Sequence, residues 1–183
     1  VIAYEETVDA VNLVTILVGP PCTGKNTYLK SIPHDYVVSS DNIVDKLCQE
    51  HKISYRDYFG YSHKSRIKKK RNALFKEVIE ASKNYSHVVW DLTNLKRVNR
   101  KQIMSYYPRA IFNAIVFDFT GNEQSLLKLN KKRYTETGKF IQEKVLHEMF
   151  KSFQPVKLNE GFTEKEIYKY LKNQYGDWIT YDP

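Results

Sequence analysis

The sequence contains few cysteines and no long apolar segment. Cys22 and Cys48 are the only cysteines among its 183 residues, and neither belongs to a C-x-x-C pair or to a pattern with histidine. Their scarcity excludes a disulfide framework and a cysteine-based zinc site, and it favours a reducing, cytoplasmic setting. No apolar run approaches the length of a membrane-spanning helix, so we expect no membrane partner. Internal repeats, low-complexity tracts and linkers are also lacking, which predicts a single domain over residues 1–183.

Acidic residues are outnumbered by basic ones. Asp and Glu total 21 against 29 Lys and Arg, which gives a formal net charge of +8. This excess favours an anionic partner, and nucleic acid is the partner that we expect. Six basic residues form one run beside a segment rich in tyrosine, and the run is either a solvated helix face or a contact with nucleic acid. Its members are Lys64, Arg66, Lys68, Lys69, Lys70 and Arg71.

A glycine-containing segment follows the apolar run at 13–18 and precedes a short helical pattern. Glycines let successive backbone N–H groups converge, the helix that follows points its positive end at the same spot, and a lysine there reaches terminal phosphates. The pattern predicts a phosphate-binding loop that holds ATP or another NTP, and the alternative is an ordinary Gly-Pro turn. The predicted nucleotide-binding residues are Gly19, Pro20, Pro21, Cys22, Thr23, Gly24, Lys25, Asn26 and Thr27.

One position in this loop departs from the usual pattern. The residue after the lysine normally carries a hydroxyl that binds Mg²⁺, but the chain has Asn26 there and a hydroxyl only at Thr27. We expect Mg²⁺ to lie near Asn26.

The hydrophobic pattern predicts an α/β fold with a central four- to five-stranded parallel sheet flanked by helices. Together with the phosphate loop and a lid-like helical segment, it resembles a P-loop kinase with a helical lid. Residues 1–11 have no clear period and are interpreted as an extension or an edge element. The predicted strands cover 12–19, 36–38, 87–91 and 110–119. The predicted helices cover 26–32, 42–50, 63–83, 97–107, 122–133, 142–153 and 163–174. The polar and aromatic segment 51–61 is predicted to be a loop.

Two aspartates directly follow predicted strands. Asp41 comes after the second strand and Asp91 after the third. Because carboxyl ends of parallel strands meet at one edge of a sheet, both should lie beside the phosphate loop. Asp91 is therefore predicted to bind the metal together with Asn26. The alternatives are a helix N-cap for Asp41 and a turn-forming cluster at 91–94.

The segment at about 122–153 has the pattern of a lid. A helix with a basic end is followed by a polar turn containing Gly138 and by a second helix. Small P-loop kinases use such a lid to bring arginine to the phosphoryl group in transfer. The basic residues are also explained by the preference of positive charge for helix C-termini.

Taken together, these motifs resemble those of the 5'-polynucleotide kinases of bacteriophages and of their animal and bacterial relatives. The resemblance covers residues 13–153. It implies that Asp41 is the general base for the 5'-hydroxyl of RNA or DNA, that Asp91 supports substrate and metal, and that Arg133 contacts the nucleotide's phosphates. The phosphate-loop lysine of the family matches Lys25. The motifs after the phosphate loop are Ser39-Ser40-Asp41-Asn42, Asp91-Leu92-Thr93-Asn94 and Asn130-Lys131-Lys132-Arg133.

The chain differs from this family at three positions. The phage enzymes carry an arginine three residues after the base, where this chain has Val44; the second lid helix lacks its usual proline, with Gln142 after Ile141; and Asn26 is the third difference. Another basic group should then hold the acceptor's phosphate, and the candidates are Arg97, Arg100 and the run at 68–71. The predicted substrate-contacting residues are Asp41, Asp91, Thr93, Asn94, Arg97 and Arg100.

Two alternative functions follow from the same residues. The first is a kinase of a nucleoside, of a modified base or of a sugar nucleotide, as in zeta-toxin-like relatives. The second is a non-catalytic, nucleotide-dependent nucleic-acid-binding module in which Asn26 has replaced the hydroxyl that binds the metal.

Overall fold

The computed structural model describes residues 10–172 and 178–181. Most of the predicted N-terminal extension and the last two residues of the predicted C-terminal helix lie outside these ranges. The strands are β1 (Leu13–Val18), β2 (Tyr36–Val38), β3 (His87–Trp90), β4 (Ile111–Asp118), β5 (Glu164–Lys172) and β6 (Trp178–Tyr181). The helices are α1 (Lys25–Ser31), α2 (Asp41–His51), α3 (Tyr55–Gly60), α4 (Arg66–Ser82), α5 (Arg97–Ser105), α6 (Glu123–Thr137) and α7 (Glu143–Ser152).

The strands form one sheet in the order β2-β3-β1-β4-β5-β6. The first five strands of this order are parallel, and β6 is antiparallel to β5. The prediction of an α/β fold with a four- to five-stranded parallel sheet is confirmed. Strand β1 lies in the middle, and apolar clusters cover both of its faces, with Ile16 in one cluster and Leu17 in the other. Burial on two sides explains why β1 is almost continuously apolar.

The parallel arrangement brings the carboxyl ends of β1, β2 and β3 to one edge of the sheet. Helix α1 begins at Lys25 after the loop that follows β1, and α2 begins at Asp41 after β2. The segment after β3 is tied to its neighbour, because the backbone N–H of Asp91 donates to the carbonyl of Val38 at 2.9 Å. The loop and both aspartates therefore share this edge, as predicted.

The segment 51–61 is not entirely a loop, because it contains helix α3. Ser54 caps the helix: its hydroxyl accepts the backbone N–H of Asp57 at 3.0 Å, and the Asp57 carboxylate accepts the backbone N–H of Ser54 at 3.4 Å. Tyr58 is buried against Leu47 of α2 and Ile67 of α4. A capping box and one anchoring aromatic residue thus form a helix too short to give a helical period.

The prediction of a helix at 163–174 is wrong, since residues 164–172 form strand β5. Its pairing with β4 runs from Asn113 opposite Glu164 to Asp118 opposite Lys169. The ring of Tyr168 stacks on Phe117, with centroids 5.9 Å apart. The segment Thr163-Glu164-Lys165-Glu166 has the pattern of a helix capping box, which favours a helix. Pairing with a buried strand overrides this local preference.

Helices α6 and α7 form the segment predicted as the lid. Helix α6 continues to Thr137, four residues beyond the predicted end, and stops where Gly138 adopts φ 72°. The buried Asn130 side chain ties α6 to the segment just before α7, because it donates to the carbonyl of Ile141 at 2.7 Å and accepts the backbone N–H of Ile141 at 3.3 Å. Within the described ranges, no helix has the length and apolar character needed to cross a membrane.

Candidate active site

The phosphate loop, residues 19–27, is folded tightly against the ends of the strands. A Cβ atom at Gly19 would lie 3.0 Å from both Phe117 Cβ and Thr23 Oγ1, so only glycine fits without displacing a neighbour. The backbone N–H of Gly19 donates to the carbonyl of Thr93, and the buried Thr23 hydroxyl donates to the carbonyl of Pro20 at 2.8 Å. Cys22 and Gly24 have left-handed φ angles of 67° and 85°. This backbone has the compact form that a phosphate cradle requires.

Lys25 is the first residue of α1, and its side chain folds back across the loop. The Nζ atom donates to the carbonyl of Gly19 at 2.8 Å and lies 3.4 Å from the carbonyl of Leu92. Burial lowers the pKa of Lys25 to about 8, although the nearby Asp91 carboxylate opposes this shift. Within the described residues, the ammonium group donates to these two neutral carbonyl groups, so an arriving phosphate would be a stronger acceptor.

Asp91 and Asn26 both line the cleft beside Lys25. Burial raises the pKa of Asp91, and the charge of Lys25 partly offsets that effect. Carboxylate and amide oxygens are ligands that Mg²⁺ accepts, and this ion usually takes few protein ligands together with water and substrate phosphates. The two side chains therefore fit a magnesium site. Thr27 is exposed and is not among the residues that line the cleft.

Asp41 receives polar side chains from two directions. The Tyr55 hydroxyl donates to Oδ1 at 3.1 Å, and Lys139 Nζ donates to Oδ2 at 2.9 Å. Arg133 Nη2 lies 3.9 Å from the same Oδ2. The N-cap of α2 is Ser40, so the alternative that Asp41 acts as the cap is wrong. The lid thus contacts the carboxylate predicted to be the general base.

Lys139 links the lid to α2 through a second carboxylate as well. Its Nζ donates to Asp45 Oδ2 at 2.8 Å. Burial alone would lower the pKa of Lys139, but the hydrogen bonds to Asp45 and Asp41 outweigh it and raise this pKa. Burial, followed by the charge of Asp41, raises the pKa of Tyr55 well above its ordinary value, so Tyr55 remains a hydroxyl donor at neutral pH.

One cleft of about 1420 Å³ is lined by Lys25, Asn26, Asp41, Tyr55, Asp91 and Arg133, whereas Asp45 and Lys139 are not among its lining residues. Its floor contains the phosphate loop and the ends of β2 and β3. One wall consists of α3 and the first turns of α4, and the other belongs to the lid. The lid residues that line it are Arg133, Phe140, Ile141, Gln142, Val145 and Met149.

Arg100, predicted to contact substrate, does not reach this cleft. It is fully buried, and its guanidinium forms a two-pronged pair with Glu160 at 2.9 and 3.1 Å. The other N–H groups donate to the carbonyls of Asn94, Leu95 and Gln154, each at 3.0 Å. Because all five donors of the side chain are used, none is left for a substrate. Burial of this arginine ties the C-terminal segment to the start of α5.

The other residues predicted around Asp91 are divided between the cleft and its support. Thr93 lines the cleft. Asn94 is buried, has φ 48°, and donates to the carbonyl of Leu17 at 2.9 Å, so it holds the segment against β1. Arg97 is exposed at the start of α5 and is not among the residues that line the cleft. The roles predicted for Asn94, Arg97 and Arg100 in binding substrate do not agree with these positions.

The extent of this site can be compared with a known family. A family model described as an AAA domain matches residues 14–156. The protein belongs to this AAA domain family. The match includes the phosphate loop, both aspartates and the lid, and it ends before β5. The fold is that of a P-loop kinase. No curated protein sequence matches the chain.

Several solved structures share this fold of the AAA domain family. A chain of the Pnkp1/Rnl/Hen1 RNA repair complex is 24% identical, with a TM-score of 0.57 over 77% of this chain and 43% of that chain. A fungal RNA kinase is 16% identical, with a TM-score of 0.56 over 93% and 79% of the two chains. The PezAT toxin-antitoxin system of Streptococcus pneumoniae contains a chain that is 13% identical, with a TM-score of 0.52 over 93% and 70%. The protein thus spans less than half of the chain in the RNA repair complex.

Tyr55, Lys139 and Asp45 are the site residues that the sequence pattern missed. The capping pattern Ser54-x-x-Asp57 is a local signal that could have revealed α3 and so the position of Tyr55. Lys139 follows the glycine that ends α6, and nothing in its own neighbourhood indicates a partner 98 residues earlier. Its role in this member of the AAA domain family emerges only from the fold.

Proposed function

We propose that the protein is a phosphotransferase that moves the γ-phosphoryl group of ATP or another NTP to the 5'-hydroxyl end of RNA or DNA. The observation that carries this proposal is the Asp41 carboxylate, which lies in the same cleft as the phosphate loop and Lys25 and is contacted by Arg133 from the lid. A carboxylate beside a phosphate cradle and a cation from the lid has the composition of a phosphoryl-transfer site.

The donor side of the cleft binds and orients the triphosphate. The backbone N–H groups of the phosphate loop and the Lys25 ammonium hold the β and γ phosphates. Asn26 and Asp91 would hold Mg²⁺, which supplies positive charge to the phosphates when it is bound. Arg133 stabilises the negative charge that spreads over the oxygens of the transferred group.

The acceptor side supplies the base. Asp41 accepts the proton of the attacking hydroxyl as its oxygen forms a bond to the γ phosphorus and the bond from that phosphorus to the β–γ bridging oxygen breaks. The products are a 5'-phosphate end and the nucleoside diphosphate. The Tyr55 hydroxyl fixes Asp41 Oδ1, and the Lys139 ammonium must loosen its contact with Oδ2 when the acceptor enters.

Three observations support a nucleic-acid acceptor over a small molecule. The chain has a net charge of +8, which favours a polyanion. Its motifs resemble those of 5'-polynucleotide kinases. The solved structures that share the fold include a chain of an RNA repair complex and an RNA kinase.

The test is a transfer assay with γ-labelled ATP, Mg²⁺ and a panel of acceptors. We expect label on 5'-hydroxyl oligonucleotides and none on the same oligonucleotides with a 5'-phosphate. Label on free nucleosides or sugar nucleotides, with none on oligonucleotides, would contradict the proposed acceptor. ATP binding without transfer to any acceptor would contradict the catalytic role and would instead match a nucleotide-dependent binding module.

A further inference from the structure

A strip of aromatic side chains leads away from Asp41 along the cleft wall. It begins at Tyr55, whose hydroxyl contacts Asp41, and continues to Phe59, whose ring centroid is 4.8 Å from that of Tyr55. Tyr61 follows directly after α3 and lines the same cleft. Phe59 is 55% exposed and Tyr61 is 46% exposed. We call Tyr55, Phe59 and Tyr61 the aromatic strip. Two large rings of a three-residue strip thus remain available to a ligand.

Two cations of the basic run line the same wall of the cleft as this strip. Lys68 Nζ is 5.1 Å from the ring centroid of Phe59 and 4.2 Å from that of Tyr58. Arg71, one turn later on α4, also lines the cleft. In the part of the chain that the structure describes, neither cation forms a salt bridge with a carboxylate.

The other members of the run do not face the cleft. Lys64, Arg66 and Lys69 are exposed and are not among its lining residues, and Lys70 pairs with Glu50 at 3.3 Å. The simple explanation of a solvated helix face therefore accounts for four of the six residues. It does not account for two adjacent, partly buried cations that both face the cleft.

Electrostatics at these two cations favours an anionic ligand. Burial, followed by the charge of Arg71, lowers the pKa of Lys68. A phosphate placed between them would relieve this repulsion.

We propose that the aromatic strip, Lys68 and Arg71 together bind the acceptor as a single strand. The nucleotides that follow the reacting 5' end stack on exposed rings of the strip, and their phosphates contact the two cations. A base can stack on a protein ring only if its own face is not already stacked against a neighbouring base in a duplex. The preferred acceptor is therefore a single-stranded end longer than one nucleotide. This inference rests on the proposed function, because it takes Asp41 as the point where the 5'-hydroxyl lies.

The kinetic test uses the full chain and 5'-hydroxyl oligonucleotides of increasing length. Loss of one stacking or phosphate contact should raise the KM for a hexanucleotide about tenfold in Phe59→Ala or Lys68→Ala, with kcat and the KM for ATP little changed. Lys69→Ala is the matched control, because it removes an adjacent exposed lysine that lies outside the cleft, and its KM should equal that of the unaltered protein. The KM for a nucleoside 3'-phosphate, which has no second nucleotide to stack on Phe59 or to contact Lys68, should not change in any variant.

Two results would overturn the inference. One is an equal KM for the hexanucleotide in Lys68→Ala, Phe59→Ala and Lys69→Ala. The other is an equal rise in KM for the hexanucleotide and for the nucleoside 3'-phosphate, which would indicate a general disturbance of the site.

A binding measurement separates this inference from the proposed function. Fluorescence anisotropy with a labelled 5'-hydroxyl hexanucleotide requires no catalysis. Suppose that no acceptor is phosphorylated but Lys68→Ala binds the hexanucleotide about tenfold more weakly than Lys69→Ala. This result would contradict the proposed kinase activity and support strand binding by the aromatic strip, Lys68 and Arg71. If transfer occurs and the two variants bind the hexanucleotide equally, the result would contradict strand binding by the aromatic strip, Lys68 and Arg71 and support the kinase activity. A salt titration adds a second readout. The slope of log affinity against log salt concentration should become shallower by about one in Lys68→Ala and stay unchanged in Lys69→Ala.

Discussion

The protonation of Lys25 should control how nucleotide affinity depends on pH. In the free protein, burial lowers the pKa of this lysine to about 8 from an ordinary value of 10.5. Negative phosphates beside the ammonium favour its charged form, so the pKa should return at least to its ordinary value in the complex. Binding then requires the protein to take up a proton at any pH above 8.

The size of the effect follows from this difference in pKa. Affinity is fully present below pH 8 and falls as pH rises through the pKa of the free protein. For a single group that changes from about 8 in the free protein to 10.5 in the complex, the dissociation constant of ATP should rise roughly eightfold between about pH 7.5 and about pH 9.

Isothermal titration calorimetry with ATP at these two pH values measures the effect. Lys25→Arg is the control, because a guanidinium group stays charged throughout this range and should give a flat profile even if binding is weaker. A flat profile for the unaltered protein would refute the reasoning. So would a slope of the same size in Lys25→Arg, because another group would then be responsible.

Three further variants test separate parts of the site. Asn26→Ser supplies the usual hydroxyl, so a Mg²⁺ titration should show faster transfer at limiting Mg²⁺, while ATP binding without Mg²⁺ stays unchanged. An unaltered Mg²⁺ requirement would contradict the role of Asn26 as a metal ligand. Arg100→Ala leaves the largely buried Glu160 carboxylate and the carbonyls of Asn94 and Leu95 without their donor, so urea unfolding should reveal a loss of about 3–5 kcal/mol, whereas a loss below about 1 kcal/mol would contradict the structural role. Tyr55→Phe removes only the hydroxyl that holds Asp41, and steady-state kinetics should give a kcat roughly fivefold lower with an unchanged KM for oligonucleotides. An unchanged kcat would show that the Tyr55 hydroxyl does not position the base.

Much of the fold was predictable because its signals are local. Strands β1 and β4 are nearly continuous apolar runs, as buried parallel strands must be, and the phosphate loop is recognised from glycines and a lysine within nine residues. Asp41 and Asp91 were predictable as neighbours because carboxyl ends of parallel strands share an edge.

The features that escaped prediction depend on distant partners. Strand β5 exists because it pairs with β4 along residues far earlier in the chain, and its own charged sequence suits a helix equally well. Arg100 is separated from Glu160 by 60 residues, so its burial could not be read from the cluster of basic residues around it. Lys139 and Tyr55 approach Asp41 only when the lid and α3 have packed around α2.

The central claim is that Asp41 is the base of a phosphoryl transfer to a 5'-hydroxyl end. The most direct measurement compares the rate of label transfer from γ-labelled ATP to a 5'-hydroxyl oligonucleotide in Asp41→Asn and Asp45→Asn. Both variants remove a carboxylate that contacts Lys139 on the same face of α2, but only Asp41 is proposed to take the proton. The account predicts that Asp41→Asn loses transfer by about a hundredfold or more, while ATP binding persists and Asp45→Asn stays within a few-fold of the unaltered protein. Equal rates in the two variants would contradict the account.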